Sequence, residues 1–442
     1  MTTRTDDYQR QHGHSTARDH RLPGQKDRDR VLYTEEFRRL AGITQVLTPT
    51  GHAFHNRLTH TLEVAQVARR IAEHLHHTER LGPHPHRAER IDPDVVEAAA
   101  LIHDLGHPPF GHLGEHELDR LARQAGDPDG FEGNAQSFRI VTRLAGQSSD
   151  YPGLNLTRAT LNASLKYANL RAPAPDPLDP DAGQQRKQFE KFGAYRDDEA
   201  AFAFARAGVT HARATLEAQI MDHADDVAYS TQDLGDFYRS GMLPLHHLTA
   251  PATWAAFFEK HKPHFLTGAS SAEETRVSVQ LREVLLDLDH TPGYDGSHQD
   301  LLNIRARISE KIGQFVQVSV NWEDPDGPAL VVPDSTRLTI TLFKRLIWEY
   351  VICHSSVTGE RERHRAVITF LFGHTLQTVQ AGPSALRGSL LADFVPPLLL
   401  DRALQPSGDQ AVRLAVDIVA SLSDAQAETL YARLNPIQKD PR

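Results

Sequence analysis

The chain has 442 residues, a formal net charge of −10 and a single cysteine, Cys353. That length suits two ordinary domains or one large helical one, and the acidic balance argues against nucleic-acid binding over the whole surface. One thiol excludes an internal disulfide framework and a cysteine-rich metal site. No apolar run reaches membrane-spanning length and no charged-then-apolar leader is present, so the expected location is cytoplasmic with no membrane partner.

In chain order, residues 1–24 are polar and irregular and are expected to form a mobile arm. From Leu58 to Leu75, apolar residues recur at Leu58, Leu62, Ala65 and Ala68 and at Val64, Val67 and Ile71, the spacing of an amphipathic helix. The next helix is punctuated by Asp92 as cap, Pro93 at its first position and Gly106 as its stop. "GQSSDYPGLN" (146–155) and the Pro- and Asp-rich "RAPAPDPLDPDAG" (171–183) read as irregular. A third helix is predicted from about Thr210 to Asp233, with Leu216, Ile220, Val227 and Leu234 on its apolar side. Further on, "FVQVSVNW" and "ALVVP" flank the turn signal "EDPDG", a hairpin pattern, and "LTITLFKRLIWEYVICHSS" reads as an apolar core helix. The expected architecture is mostly α: a helical core over 25–240, a helical C-terminal region over 241–442 packed on it, and one small β-hairpin.

Chemistry concentrates in "LIHDLGHPPFGHLGE" (101–115), which holds three histidines, an aspartate and a glutamate. His103 and Asp104 are adjacent at a helix end. Side chains of helical neighbours diverge by about 100°, so both reach one ion only if it sits over that end. Imidazole and carboxylate suit a divalent metal, and two ligands are too few. His60, at the start of its own helix, is a candidate for another. Asp225, Tyr229 and Asp233 are spaced i, i+4, i+8 and form one polar stripe, which is either a solvated face or the lining of a pocket. His74, His76, His77, His84 and His86 read as surface or loop residues.

The words "EEFRRLAGITQVL", "HNRLTHTLEVAQVARRIA", "LIHDLGHPPFGHLGE", "EGNAQSFRI", "GLNLTRATL", "LKYANL", "KFGAYRDDE" and "IMDHADDVAYSTQDLGD" run in one order over residues 27–236. In that order they resemble the deoxyguanosine triphosphate triphosphohydrolase family of HD-domain proteins. The resemblance implies an HD-domain helical bundle that splits a dNTP into deoxynucleoside and tripolyphosphate by attack at the α-phosphorus. It implies a divalent metal, Mn2+ or Mg2+ first and Co2+, Ni2+, Fe2+ or Zn2+ as alternatives, held by His60, His103, Asp104 and Asp225. His112 and Glu115 match the acid/base pair, and a short helix starting near Gly111 would bring them together. Arg57, His107, Asn134, Lys166, Tyr167 and Lys191 match triphosphate contacts. Gln45, Tyr229 and Asp233 match the residues around the deoxyribose, where a tyrosine under the ring would exclude a 2′-hydroxyl.

The resemblance also implies a homo-oligomer and admits a regulatory nucleotide or single-stranded nucleic acid as partner. Two positions depart from the family pattern: Ile43 stands where a lysine is usual, and Gly133 where some relatives carry histidine. The alternatives are another HD phosphohydrolase, acting on nucleoside monophosphates or phosphodiesters, and a non-catalytic nucleotide or nucleic-acid binder. Base preference and the role of 241–442 are left open by the sequence.

Overall fold

A computed structural model describes residues 4–13, 19–46, 56–175, 183–266, 268–288, 297–354, 358–402 and 408–435. The helices that build the site are α1 (Pro23–Leu32), α2 (Arg57–Leu81), α3 (Pro93–Ile102), α4 (His112–Gln124), α5 (Gly133–Arg139) and α6 (Leu216–Arg239). The C-terminal region adds α7 (Asp334–Ile347), α8 (Thr358–Gln380), α9 (Gly408–Ala420) and α10 (Asp424–Leu434). A single antiparallel pair, β1 (Ser319–Asn321) with β2 (Ala329–Val331), is the only sheet among the described residues. The fold is mostly α with one small hairpin, as the sequence predicts.

The centre of the bundle is α3. Its residues from Asp94 to Ile102 are buried save Glu97, because α1, α2 and α6 pack around it. Asp92 caps it by accepting from the Asp94 amide at 3.0 Å, with Pro93 in the first turn. The helix ends at Ile102, earlier than expected, and Gly106 serves a different purpose from a stop. A Cβ there would lie 2.1 Å from the Gly133 carbonyl oxygen and 2.4 Å from the Ser137 amide, so glycine is what lets the loop touch α5.

Three other expectations change. The arm is anchored over its described part: buried Arg10 pairs with Asp27 at 2.6 Å and donates to the Asn155 carbonyl at 2.6 Å. Its residues 1–3 and 14–18 lie outside the described residues, as do 176–182 of the Pro-rich stretch. Helix α6 starts at Leu216 rather than Thr210 and continues past Asp233 to Arg239, since the Thr215 hydroxyl caps it from the Ala218 amide at 3.3 Å. The apolar stretch after Leu338 is not one regular helix: α7 ends at Ile347 and a wider π-helical turn follows over Trp348–Ile352.

The C-terminal region is joined to the core by buried charge as well as apolar packing. Arg139 at the end of α5 bridges Asp198, at 3.1 Å, and Asp417 of α9, at 2.9 Å, and all three side chains are buried. Arg413, also on α9, pairs with Asp127 at 2.6 Å and lies over the Tyr195 ring at 3.9 Å. Helix α8 packs along α4, the helix that begins with His112. No helix among the described residues is long and apolar enough to cross a membrane.

Candidate active site

Three elements deliver the first cluster. Asn56 caps α2 from the Thr59 amide at 3.0 Å and so fixes the turn that carries Arg57 and His60. His103 and Asp104 follow the last turn of α3, and Asp225 comes from the middle of α6. Ligand-type atoms of His60, His103 and Asp104 lie within 4.8 Å of one another. Asp225 Oδ1 is 3.1 Å from His60 Nε2 and 3.8 Å from His103 Nε2.

These residues fit a divalent cation. His103 Nδ1 is tied to the Ala100 carbonyl at 2.7 Å, which aims Nε2 into the cluster. That Nε2 is buried and has no hydrogen-bond partner among the described residues. A buried, oriented imidazole lone pair beside two carboxylates is the donor set such an ion takes, and the anchor on the far nitrogen sets ring orientation and basicity.

Charge around the cluster is fixed. Burial opposes ionisation of Asp104, but the Arg57 guanidinium 2.8 Å away, helped by His103 and His107, holds the carboxyl well below the usual carboxylate range. Burial likewise opposes the charge on Asp225, and Lys166 with His60 outweighs it. Lys166 reaches Asp225 at 3.0 Å and Asp222 at 2.6 Å. Burial disfavours the charged form of His60, yet the Asp225 hydrogen bond and the fields of Asp104, Asp225 and Asp233 raise its pKa. Carboxylates therefore set a negative potential that a cation would answer.

A second cluster adjoins the first. His112 opens α4, and its Nδ1 lies 3.1 Å from Glu115 Oε2, one turn on. The helix is longer than expected but begins where predicted. Glu115 is 7% exposed and the His112 side chain 70%, so the carboxylate is walled in while the imidazole faces solvent. Against burial, the His112 hydrogen bond and the Lys191 charge hold Glu115 well below the usual carboxylate range. Buried His107 joins the clusters: its Nδ1 is 3.0 Å from Asp104 Oδ1 and its Nε2 3.9 Å from Glu115 Oε2. Burial, then the Arg57 charge, pushes the His107 pKa down to about 4.

The remaining predicted residues divide. Lys191 sits at the second cluster, 3.0 Å from Glu115 and 3.1 Å from Glu132, and Asn134 donates to Glu132 at 2.9 Å. Arg57 is buried and committed to Asp104, and its Nε has no hydrogen-bond partner among the described residues. Tyr167 follows Lys166 and is half-buried. Tyr229 is half-buried and Asp233 buried on the same face of α6 as Asp225; burial, then the Asp233 charge, raises the Tyr229 phenol. Gln45 stands beside the start of α2, where Thr44 bridges Asn56 and the Arg57 amide bonds the Ile43 carbonyl at 3.0 Å. Ile43 is 1% exposed, a core residue.

Sequence reasoning missed Glu132. Glu132 caps α5, accepting from the Asn134 and Ala135 amides, and holds Lys191 from the other side. Glutamate is not among the residues that favour an N-cap, so this role left no signal in the sequence. It also missed Ser137, which donates to the His103 carbonyl and accepts from the Gly106 amide, both at 2.9 Å.

Comparison with known proteins identifies the family. An HD-domain family model matches residues 57–230, and a model of the phosphohydrolase-associated domain matches 330–433. Fold and site thus define a hydrolase of the HD superfamily. A deoxyguanosinetriphosphate triphosphohydrolase-like protein of Streptomyces coelicolor is 36% identical over 93% of this chain and 92% of its own length. Like-named proteins of Corynebacterium glutamicum and Bifidobacterium longum are each 32% identical, over 94% and 93% of the chain and 92% and 82% of their own lengths. The chain belongs to this deoxyguanosinetriphosphate triphosphohydrolase-like family.

Proposed function

We propose that the protein hydrolyses a deoxynucleoside triphosphate to deoxynucleoside and inorganic tripolyphosphate. The observation that carries this reading is the join between the clusters. A donor set fit for a cation and a His–Glu pair whose imidazole faces solvent are linked through His107, with three cations, Arg57, Lys166 and Lys191, around them. That is a place for a phosphoryl group flanked by charge on one side and a proton acceptor on the other. The relatives' names point to the same substrate class.

His60, His103, Asp104 and Asp225 would hold the cation, Mn2+ or Mg2+ by our reading. When bound it supplies charge neutralisation at phosphoryl oxygens. Glu115 stays a carboxylate and accepts from His112 Nδ1–H, which leaves Nε2 to take the proton of a water attacking the α-phosphorus. The bond from that phosphorus to the sugar 5′-oxygen breaks, and the proton returns to the leaving oxygen. Lys191, Lys166, Asn134, Tyr167 and the uncommitted Arg57 donors face the triphosphate. Gln45, Tyr229 and Asp233 receive the deoxyribose, with Tyr229 packed where a 2′-hydroxyl would clash.

The test is a product assay on the four dNTPs with Mg2+, Mn2+ and Co2+. Tripolyphosphate and deoxynucleoside in equal amounts are expected. Pyrophosphate with a monophosphate, or turnover of monophosphates alone, would replace this reading with another HD phosphohydrolase. Tight binding without turnover would replace it with a nucleotide sensor.

A further inference from the structure

The loop that carries His112 has an unusual backbone. Phe110 has φ +66° and Gly111 φ +58°, and Phe110 is one of two non-glycine residues with positive φ among the described residues. A bulky side chain in that region persists only where its surroundings hold it. The holding groups come from the C-terminal region. Asp424 opens α10, and its Oδ1 accepts from the Phe110 amide at 2.8 Å. The Phe110 ring stacks on buried His364 of α8, centroids 3.9 Å apart and planes 8° from parallel.

The second oxygen of the same carboxylate is equally committed. Asp424 Oδ2 accepts from the Thr44 amide at 2.9 Å. Thr44 precedes Gln45, and its strand-like bridge to Asn56 ties this segment to the turn carrying Arg57 and His60. Chain geometry is arranged for the contact. A Cβ on Gly42 would come 2.8 Å from Ser423 Cβ, so glycine lets the segment approach the start of α10. Ser423 and Gln426 form a capping box there, with bonds of 3.2 and 2.8 Å, which fixes the first turn from which Asp424 projects. A carboxylate at a helix start also meets a favourable dipole.

We propose that Asp424 is a positioning residue, clamping the His112 loop and the Gln45 segment in register with one carboxylate, and that this is what the C-terminal region contributes to catalysis. The proposal rests on the preceding section for the roles of His112 and Gln45. It assigns Asp424 no contact with substrate or reacting atoms. Both of its bonds go to backbone amides, so it sets where two chain segments lie.

The experiment compares Asp424→Ala and Asp424→Asn with wild-type full-length protein. Asp424→Ala is expected to lower kcat about 10- to 100-fold, the scale of loss from misplacing a reacting group by about 1 Å, and to raise KM. Its Mn2+ affinity by calorimetry is expected to match wild type. Asp424→Asn keeps one acceptor oxygen and should fall between. Hydrogen–deuterium exchange should quicken in 40–46 and 105–114 and stay unchanged in α2 and α3. Wild-type kcat in Asp424→Ala, or exchange that quickens evenly through α2 and α3, overturns the clamp. If wild-type protein turns over no dNTP, the proposed function falls, while the exchange pattern still decides whether Asp424 holds both segments.

Discussion

The two halves of the molecule divide the labour unequally. Every candidate group for metal, water or substrate comes from residues 45–233. The C-terminal region reaches that site through backbone contacts at Phe110 and Thr44 and through buried ion pairs. Side chains that do chemistry must face a common point and be of particular types. Side chains that hold a scaffold need only meet it somewhere. The comparison predicts that damage among the candidate metal ligands removes chemistry and spares the fold, while damage to the buried ion pairs at the seam does the reverse.

The largest effect is expected from His103→Ala. Losing one ligand should abolish tight Mn2+ binding and lower turnover by at least about 10^3-fold, since charge stabilisation by a bound ion is worth several kcal/mol. Among the described residues the His103 side chain hydrogen-bonds only the Ala100 carbonyl, and the Ser137 bond to its main-chain carbonyl survives the change, so thermal unfolding without metal should stay near wild type. A large drop in Tm with metal affinity retained would break the division at its strongest point.

Arg139→Ala should do the opposite. It leaves Asp417 buried without its guanidinium, while Asp198 keeps Arg143 at 2.9 Å, and breaking a buried pair from one side costs about 3–5 kcal/mol. Denaturant unfolding measures this directly. Protein that remains folded should bind Mn2+ like wild type, because Arg139 touches none of the candidate ligands. Stability within about 0.5 kcal/mol of wild type would mean that apolar packing alone carries the seam.

How far each half is legible in sequence follows from the same division. "HDLGHPPFGH" and the Asp225–Tyr229–Asp233 stripe are readable because the chemistry demands those residue types, and helical spacing shows they share a face. The hairpin shows in its turn residues. Asp424 is not readable. It bonds main-chain amides 314 and 380 positions away, and an amide leaves no mark on the residue type that bears it. Arg139 and Asp417, 278 positions apart, are equally silent, because one charged residue on a helix looks like any solvated one. Gly106 was legible as a glycine but not for its reason, a close approach to Gly133 and Ser137. The anchored Arg10 escaped because its surroundings look like a tail.

The smallest effect tests the contact between the halves through pH. His364 is buried against Phe110, and burial lowers its pKa below the ordinary 6.5. Glu360 on α8 and Glu428 and Asp424 on α10 pull the value up, and Arg363 pushes it down; burial and Arg363 prevail. With a folded pKa below the unfolded one, the unfolded chain binds more protons as pH falls through about 6.5. The stability from neutral His364 is therefore fully present above that pH and is lost on acidification. Between pH 7.5 and 5.5 the Tm of His364→Gln should fall less than that of wild type, by about a degree in a chain this long. Other acid-sensitive groups are common to both proteins and cancel in the difference. Parallel curves would mean that protonating His364 leaves the Phe110 stack untouched. The C-terminal region would then hold the His112 loop through the Asp424 carboxylate alone.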